Sequence, residues 1–151
     1  MKGRERGVYL LSLTISILLG LGAAVLYAAV VIVNKKLPDG GDILVLDSPT
    51  MQSVTDRVNG FLDAIDGKGF NIVGQQDAVG NLQVAQEKCT DLLTAHPDVV
   101  AIFGGNDPTA LGCLAAAEAA GVSPLIYGVD GSPDIKAELK KEDSAIEGTG
   151  A

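Results

Sequence analysis

The sequence predicts an α/β fold: a parallel open sheet with helices on both faces, preceded by a single transmembrane or signal helix. Three observations predict it. A long uncharged run opens the chain. Short apolar runs then alternate with stripes at helical spacing, and glycine, proline and capping residues punctuate each change of period. The 151 residues suffice for one ordinary domain and not for two comfortable ones. The expected division is a basic tail and apolar helix over 1–34, followed by one α/β lobe over 35–151.

Val8–Val33 contains no charged residue. As a helix rising about 1.5 Å per residue it reaches roughly 39 Å, enough to cross a hydrocarbon core of about 30 Å with tilt. Lys2, Arg4 and Arg6 precede it, and Lys35 and Lys36 close it. The basic head favours a cytoplasmic amino terminus, which sends the following lobe outward. A cleaved signal peptide is the rival reading. Its apolar region is normally shorter and ends in small residues, which Ala23–Ala24 and Ala28–Ala29 approximate poorly. No cysteine lies near the run, so a lipobox is excluded. The lobe is expected at the cell membrane on a single pass with its domain extracytoplasmic, or else periplasmic or secreted after cleavage.

Asp42–Asp47 is a buried strand by its apolar run and its Gly40–Gly41 and Ser48–Pro49 borders. Val54, Val58, Phe61, Leu62 and Ile65 form one helical face, stopped by Gly67 and Gly69. Phe70–Gly74 reads as a second strand. Leu82, Ala85, Cys89, Leu92 and Leu93 make a second helical stripe, ended at His96–Pro97. Val99–Gly104 is a third strand. Asp107–Pro108 resembles a cap followed by proline at the first helical position, leading into Ala110, Leu111, Leu114 and Ala117. Pro124–Val129 is a fourth strand, Ser132–Pro133 starts a helix through Leu139, and Ala145–Ala151 begins a fifth strand. Strands joined by helices in this way require right-handed crossovers and a sheet covered on both faces.

In such sheets ligands lie beyond the carboxyl ends of the strands, where strand order reverses. The rule nominates the loops Ser48–Asp56, Gln75–Asn81, Gly104–Pro108 and Asp130–Pro133. Arg57, Asn106 and Asp130 would bring a guanidinium, an amide and a carboxylate to one rim. That mixture suits hydroxyl-rich ligands, whose hydroxyls both donate and accept. Helix capping is the plainer role for Asp107 and also for Asp130, although Ser132 is the better-placed cap in the latter case.

Residues 35–151 hold 8 basic and 18 acidic side chains, a net of −10. So acidic a lobe lacks the footprint for nucleic acid. Neither GxGxxG nor GxxxxGK[ST] is present, no serine has a nearby histidine, and His96 is the sole histidine. Two cysteines and one histidine are too few and too scattered for zinc. An enzyme is not expected, nor any catalytic residue, metal or cofactor. Cys89 and Cys113 fall on helices that consecutive crossovers set side by side. They are either a disulfide closing a loop of about 25 residues or two buried thiols filling gaps.

Leu92–Gly121 (LLTAHPDVVAIFGGNDPTALGCLAAAEAAG), Ile126–Asp134 (IYGVDGSPD) and the R-x-x-G-F pattern of Arg57, Gly60 and Phe61 carry a specific likeness. From Leu37 to Ala151 the chain resembles the periplasmic sugar-binding proteins of the ribose-binding type, the type I solute-binding proteins of ABC transporters. It resembles their carboxyl-terminal lobe. The resemblance implies that Arg57, Asn106 and Asp130 contact sugar hydroxyls, that a monosaccharide is the ligand and that an ABC permease is the partner. The family's amino-terminal lobe has no counterpart here, and Ala78-Val79-Gly80-Asn81 lacks the aromatic that often packs on the sugar. Closure around a ligand then requires a second lobe, with a homodimer as one route. The alternative expectation is a membrane-anchored sensory or interaction module that uses the lobe without binding sugar. Sugar-responsive repressors share the fold, but no helix-turn-helix accompanies it here.

Overall fold

A computed structural model describes residues 36–150. The leader expected over 1–34 lies outside them. Among the described residues no helix is long and apolar enough to cross a membrane.

Among the described residues five strands and four helices alternate: β1 (Gly41–Asp47), α1 (Gln52–Ile65), β2 (Phe70–Asp77), α2 (Leu82–Ala95), β3 (Ala101–Gly104), α3 (Asp107–Ala120), β4 (Leu125–Val129), α4 (Pro133–Glu138) and β5 (Ile146–Gly150). The sheet runs β2-β1-β3-β4-β5 with every pair parallel. Strand order therefore reverses between β1 and β3, which makes the gap above those two strands the switch point.

Each face of the sheet reads its own half of the period-2 pattern. Leu44, Leu46, Ile102 and Ile126 pack against Ala85, Cys89 and Leu93 of α2, Ala110, Cys113, Ala116 and Ala117 of α3, and Ile135 of α4. Ile43, Val45, Ala101, Phe103, Tyr127 and Val129 face Val54, Val58, Phe61 and Ile65 of α1. Phe61 and Phe103 stack with ring centroids 4.2 Å apart. Cys89 and Cys113 are bonded to each other, with Cα atoms 5.3 Å apart, so α2 and α3 are tied as well as packed.

Element boundaries differ from the sequence expectation in ways that have local causes. β2 continues past Gly74 because Gln75, Gln76 and Asp77 pair with Val45, Leu46 and Asp47. That extension is solvent-exposed and polar, so hydrophobic pattern carries no sign of it. α2 starts where Asn81 Oδ1 accepts from the N–H groups of Gln83 and Val84. Ser132 caps α4 as expected, its Oγ accepting from the Ile135 N–H at 3.4 Å. Asp107 is not the cap of α3. Asn106 is, with its Oδ1 accepting from the Thr109 N–H at 3.1 Å, and Asp107 is the first helical residue.

Candidate functional site

Four loops line the carboxyl ends of the strands around the switch point: those after β1, β2, β3 and β4. Arg57 reaches them from the second turn of α1. Its Nη1 donates to the Gly105 carbonyl at 3.1 Å and its Nη2 to Asp130 Oδ1 at 2.8 Å. One guanidinium thus bridges the ends of β3 and β4. Close approach makes this reach feasible. A Cβ on Gly105 would lie 2.4 Å from Val54 Cγ1, so only glycine lets α1 sit this near the β3 loop.

The ion pair is open to solvent, with 26% of the Arg57 side chain and 44% of the Asp130 side chain exposed. A pair so placed contributes at most about 1 kcal/mol to stability, and its exposed edge leaves Asp130 Oδ2 outside the Arg57 bond. Asp130 adopts φ of 130°, a value that L residues rarely take. Such a conformation persists only where the surroundings impose it.

Asn106 stands beside this pair at the start of α3. Its Oδ1 is engaged by the cap, and its Nδ2 lies 3.4 Å from the Gly80 carbonyl. A second lone pair on Oδ1 and the second amide hydrogen are left over. The structure therefore brings all three residues nominated from sequence to one rim. It adds roles for residues that sequence reasoning placed in these loops without assigning them a part. Gly105 contributes its backbone carbonyl, which no side-chain pattern advertises. Val79 is 53% exposed at φ of 46°, its N–H held by Asp77 Oδ1 at 2.8 Å. Met51 flanks it, close enough to Gly80 that a Cβ there would meet Met51 Cε at 2.6 Å. Val79 and Met51 give the polar rim an apolar shoulder.

At the end of β1, Asp47 Oδ2 accepts from Gln75 Nε2, while its Oδ1 is buried with no partner among the described residues. No group of three or more His, Cys, Asp or Glu side chains among those residues is placed to hold a metal ion.

A family model described as a periplasmic binding protein domain matches residues 24–149, so the match begins inside the apolar run. The chain is 38% identical over 108 residues to the ribose import binding protein of Escherichia coli K12, covering 68% of this chain and 35% of that protein. It is 32% identical over 109 residues to the D-ribose/D-allose-binding protein of Pseudomonas aeruginosa, covering 70% and 34%. Among solved structures, an ABC transporter solute-binding protein from Agrobacterium vitis with bound D-fucose superposes with a TM-score of 0.75 at 30% identity, over 85% of this chain and 45% of that one. A periplasmic solute-binding protein from Actinobacillus succinogenes with bound D-allose gives 0.72 at 27% identity, over 80% and 44%. The chain spans about a third of the length of the curated relatives it matches, and this coverage fits a single lobe.

Proposed function

The chain belongs to the family of periplasmic binding protein domains, and from that membership we propose that its lobe binds a monosaccharide outside the cytoplasm for an ABC importer. The observation that carries the reading is the Arg57–Asp130 pair at the switch point, with Asn106 beside it. Asp130 accepts from sugar hydroxyls, Arg57 donates to sugar oxygens, and Asn106 does both. Adjacent hydroxyls on a sugar ring present a donor and an acceptor a few ångströms apart. A carboxylate already bonded to a guanidinium meets both needs at once. The apolar shoulder of Val79 and Met51 suits the C–H face of the ring.

The ligands in the relatives' names, ribose and allose, set the size class of the sugar. One open rim contacts a ligand from one side and leaves much of its surface in water, which keeps affinity low. A second copy of the chain or another lobe is the proposed cover. Residues 8–33, as an anchor or a cleaved signal, are the proposed means of export.

The test is a thermal-shift scan of the full chain in mild detergent against D-ribose, D-allose and D-fucose. A dissociation constant near 0.1 mM adds about 2.7 kcal/mol at 10 mM sugar. A shift that Asp130→Ala removes supports the proposal. A folded, cooperative protein that no sugar stabilises sinks it, and favours a module that contacts a membrane partner without binding sugar.

A further inference from the structure

Asp130 is presented to the rim by a backbone that nothing in its own sequence would hold in place. Its φ of 130° is strained, and Gly131 follows in the left-handed region at 67°. The three successive N–H groups of this turn are nevertheless all engaged. Asp130 N donates to the Gly150 carbonyl at 2.6 Å, Gly131 N to Thr149 Oγ1 at 3.0 Å, and Ser132 N to Asp107 Oδ2 at 2.6 Å. Thr149 Oγ1 in turn donates to Asp107 Oδ1 at 2.6 Å. Asp107 is fully buried, and its two oxygens each have one of these donors. Space for it exists because β4 carries Gly128, where a Cβ would lie 2.6 Å from Asp107 Oδ1.

We infer that Asp107 and Thr149 are positioning residues that hold the Asp130–Ser132 turn, and so fix Asp130 opposite Arg57 for ligand binding. A carboxylate has no need to be buried at the start of α3 for helix formation, since Asn106 already caps that helix. Burying a charge is costly unless it is fully hydrogen-bonded. Here the bonds go to the binding turn and to β5. Thr149 relays between the two, accepting from the turn with the same oxygen that donates to Asp107. Neither side chain is bonded to the side chain of Arg57, Asn106 or Asp130; both bond instead to the backbone of the turn. Their effect on a ligand passes entirely through the conformation of residues 130–132.

The inference rests on the sugar-binding reading, and its test separates the two. Thr149→Val keeps the shape of the side chain and removes the relay, Thr149→Ser keeps the oxygen, and Cys89→Ala with Cys113→Ala is a destabilised control away from the turn. In the full chain, D-ribose affinity is measured by calorimetry and the Asp130 carboxyl carbon by NMR, where its pairing with Arg57 sets the chemical shift. Thr149→Val should weaken binding at least tenfold and move the Asp130 signal. Thr149→Ser should stay within twofold of the wild type, as should the cysteine control despite its lower Tm. Asp107→Asn should follow Thr149→Val; if it fails to fold, the two threonine variants decide. Unchanged affinity and an unmoved Asp130 signal in Thr149→Val overturn the inference. So does Thr149→Ser binding as weakly as Thr149→Val, or a control whose affinity falls with its Tm. A wild-type chain that binds no sugar defeats the sugar reading alone, and the Asp130 signal in Thr149→Val then decides the positioning role.

Discussion

Among the described residues, α2, α3 and α4 lie side by side on one face of the sheet over Leu44, Leu46, Ile102 and Ile126, and on the other face α1 is the one helix over Ile43, Val45 and Phe103. The first face is filled by alanines, leucines and the bridged Cys89 and Cys113. The second depends on one aromatic stack and leaves the Tyr127 hydroxyl buried without a partner among the described residues. Yet each face supplies one half of the rim. Arg57 comes from α1, while the turn bearing Asp130 is pinned by the start of α3. The contrast teaches that the tied face fixes the carboxylate and the single-helix face brings the cation to it.

The largest effect is expected on the single-helix face. Phe61→Ala removes the stack with Phe103 and should cost about 3–5 kcal/mol in urea unfolding. It should also remove sugar-dependent stabilisation, because α1 carries Arg57. A cost below about 1 kcal/mol would break the view that the stack holds this face. Replacing Cys89 and Cys113 with alanine should cost about 3 kcal/mol in the chain-entropy model, with sugar affinity unchanged. Loss of affinity there would break the separation between a tied scaffold and the cation that α1 supplies.

Tyr127→Phe sharpens the comparison with a gain, about 1 kcal/mol, since it deletes a buried hydroxyl that has no partner. Burial first, and the Glu147 carboxylate second, raise the Tyr127 pKa well above its ordinary value. The native state therefore keeps this proton after the unfolded chain has released it. The stabilisation is complete below about pH 10, the unfolded tyrosine's pKa, and is lost as pH rises beyond it. Denaturation at pH 8 and pH 11 should show a fall in the wild type that is reduced in Tyr127→Phe. Smallest in stability is Arg57→Ala, at under about 1 kcal/mol for an exposed pair. Its Tm should barely move while its sugar response disappears.

The order of strands and helices was legible because buried runs such as Ile43–Leu46 and stripes such as Val54, Val58, Phe61 and Ile65 state their period directly. The rim residues were legible for a different reason. One geometric rule singles out charged and amide side chains in the loops after strands, as for Asn106 and Asp130, and Arg57 lies just beyond such a loop, on α1. What stayed hidden depends on contacts between distant segments. Asp107 beside Pro108 has the local signature of a cap, and only the arrival of Ser132 and Thr149, 25 and 42 residues on, gives it another task. The polar end of β2 is equally silent, because its reason for being a strand is the backbone of β1.

The strand order also bears on how the chain is made. Of the described strands β1 leaves the ribosome first, but it lies inside the sheet, with β2 on one side and β3 on the other. Its apolar residues Ile43–Leu46 are wholly buried in the finished lobe. Until residue 104 has emerged, one hydrogen-bonding edge of that segment is unsatisfied. At 5–20 residues per second this lasts about 3–11 s, far longer than local helices need to form. Throughout that interval the nascent chain offers a sticky, extended ribbon to any neighbour. Within the lobe, vectorial synthesis therefore makes β1 a segment in need of a holding chaperone, although in the folded lobe its apolar residues are wholly buried.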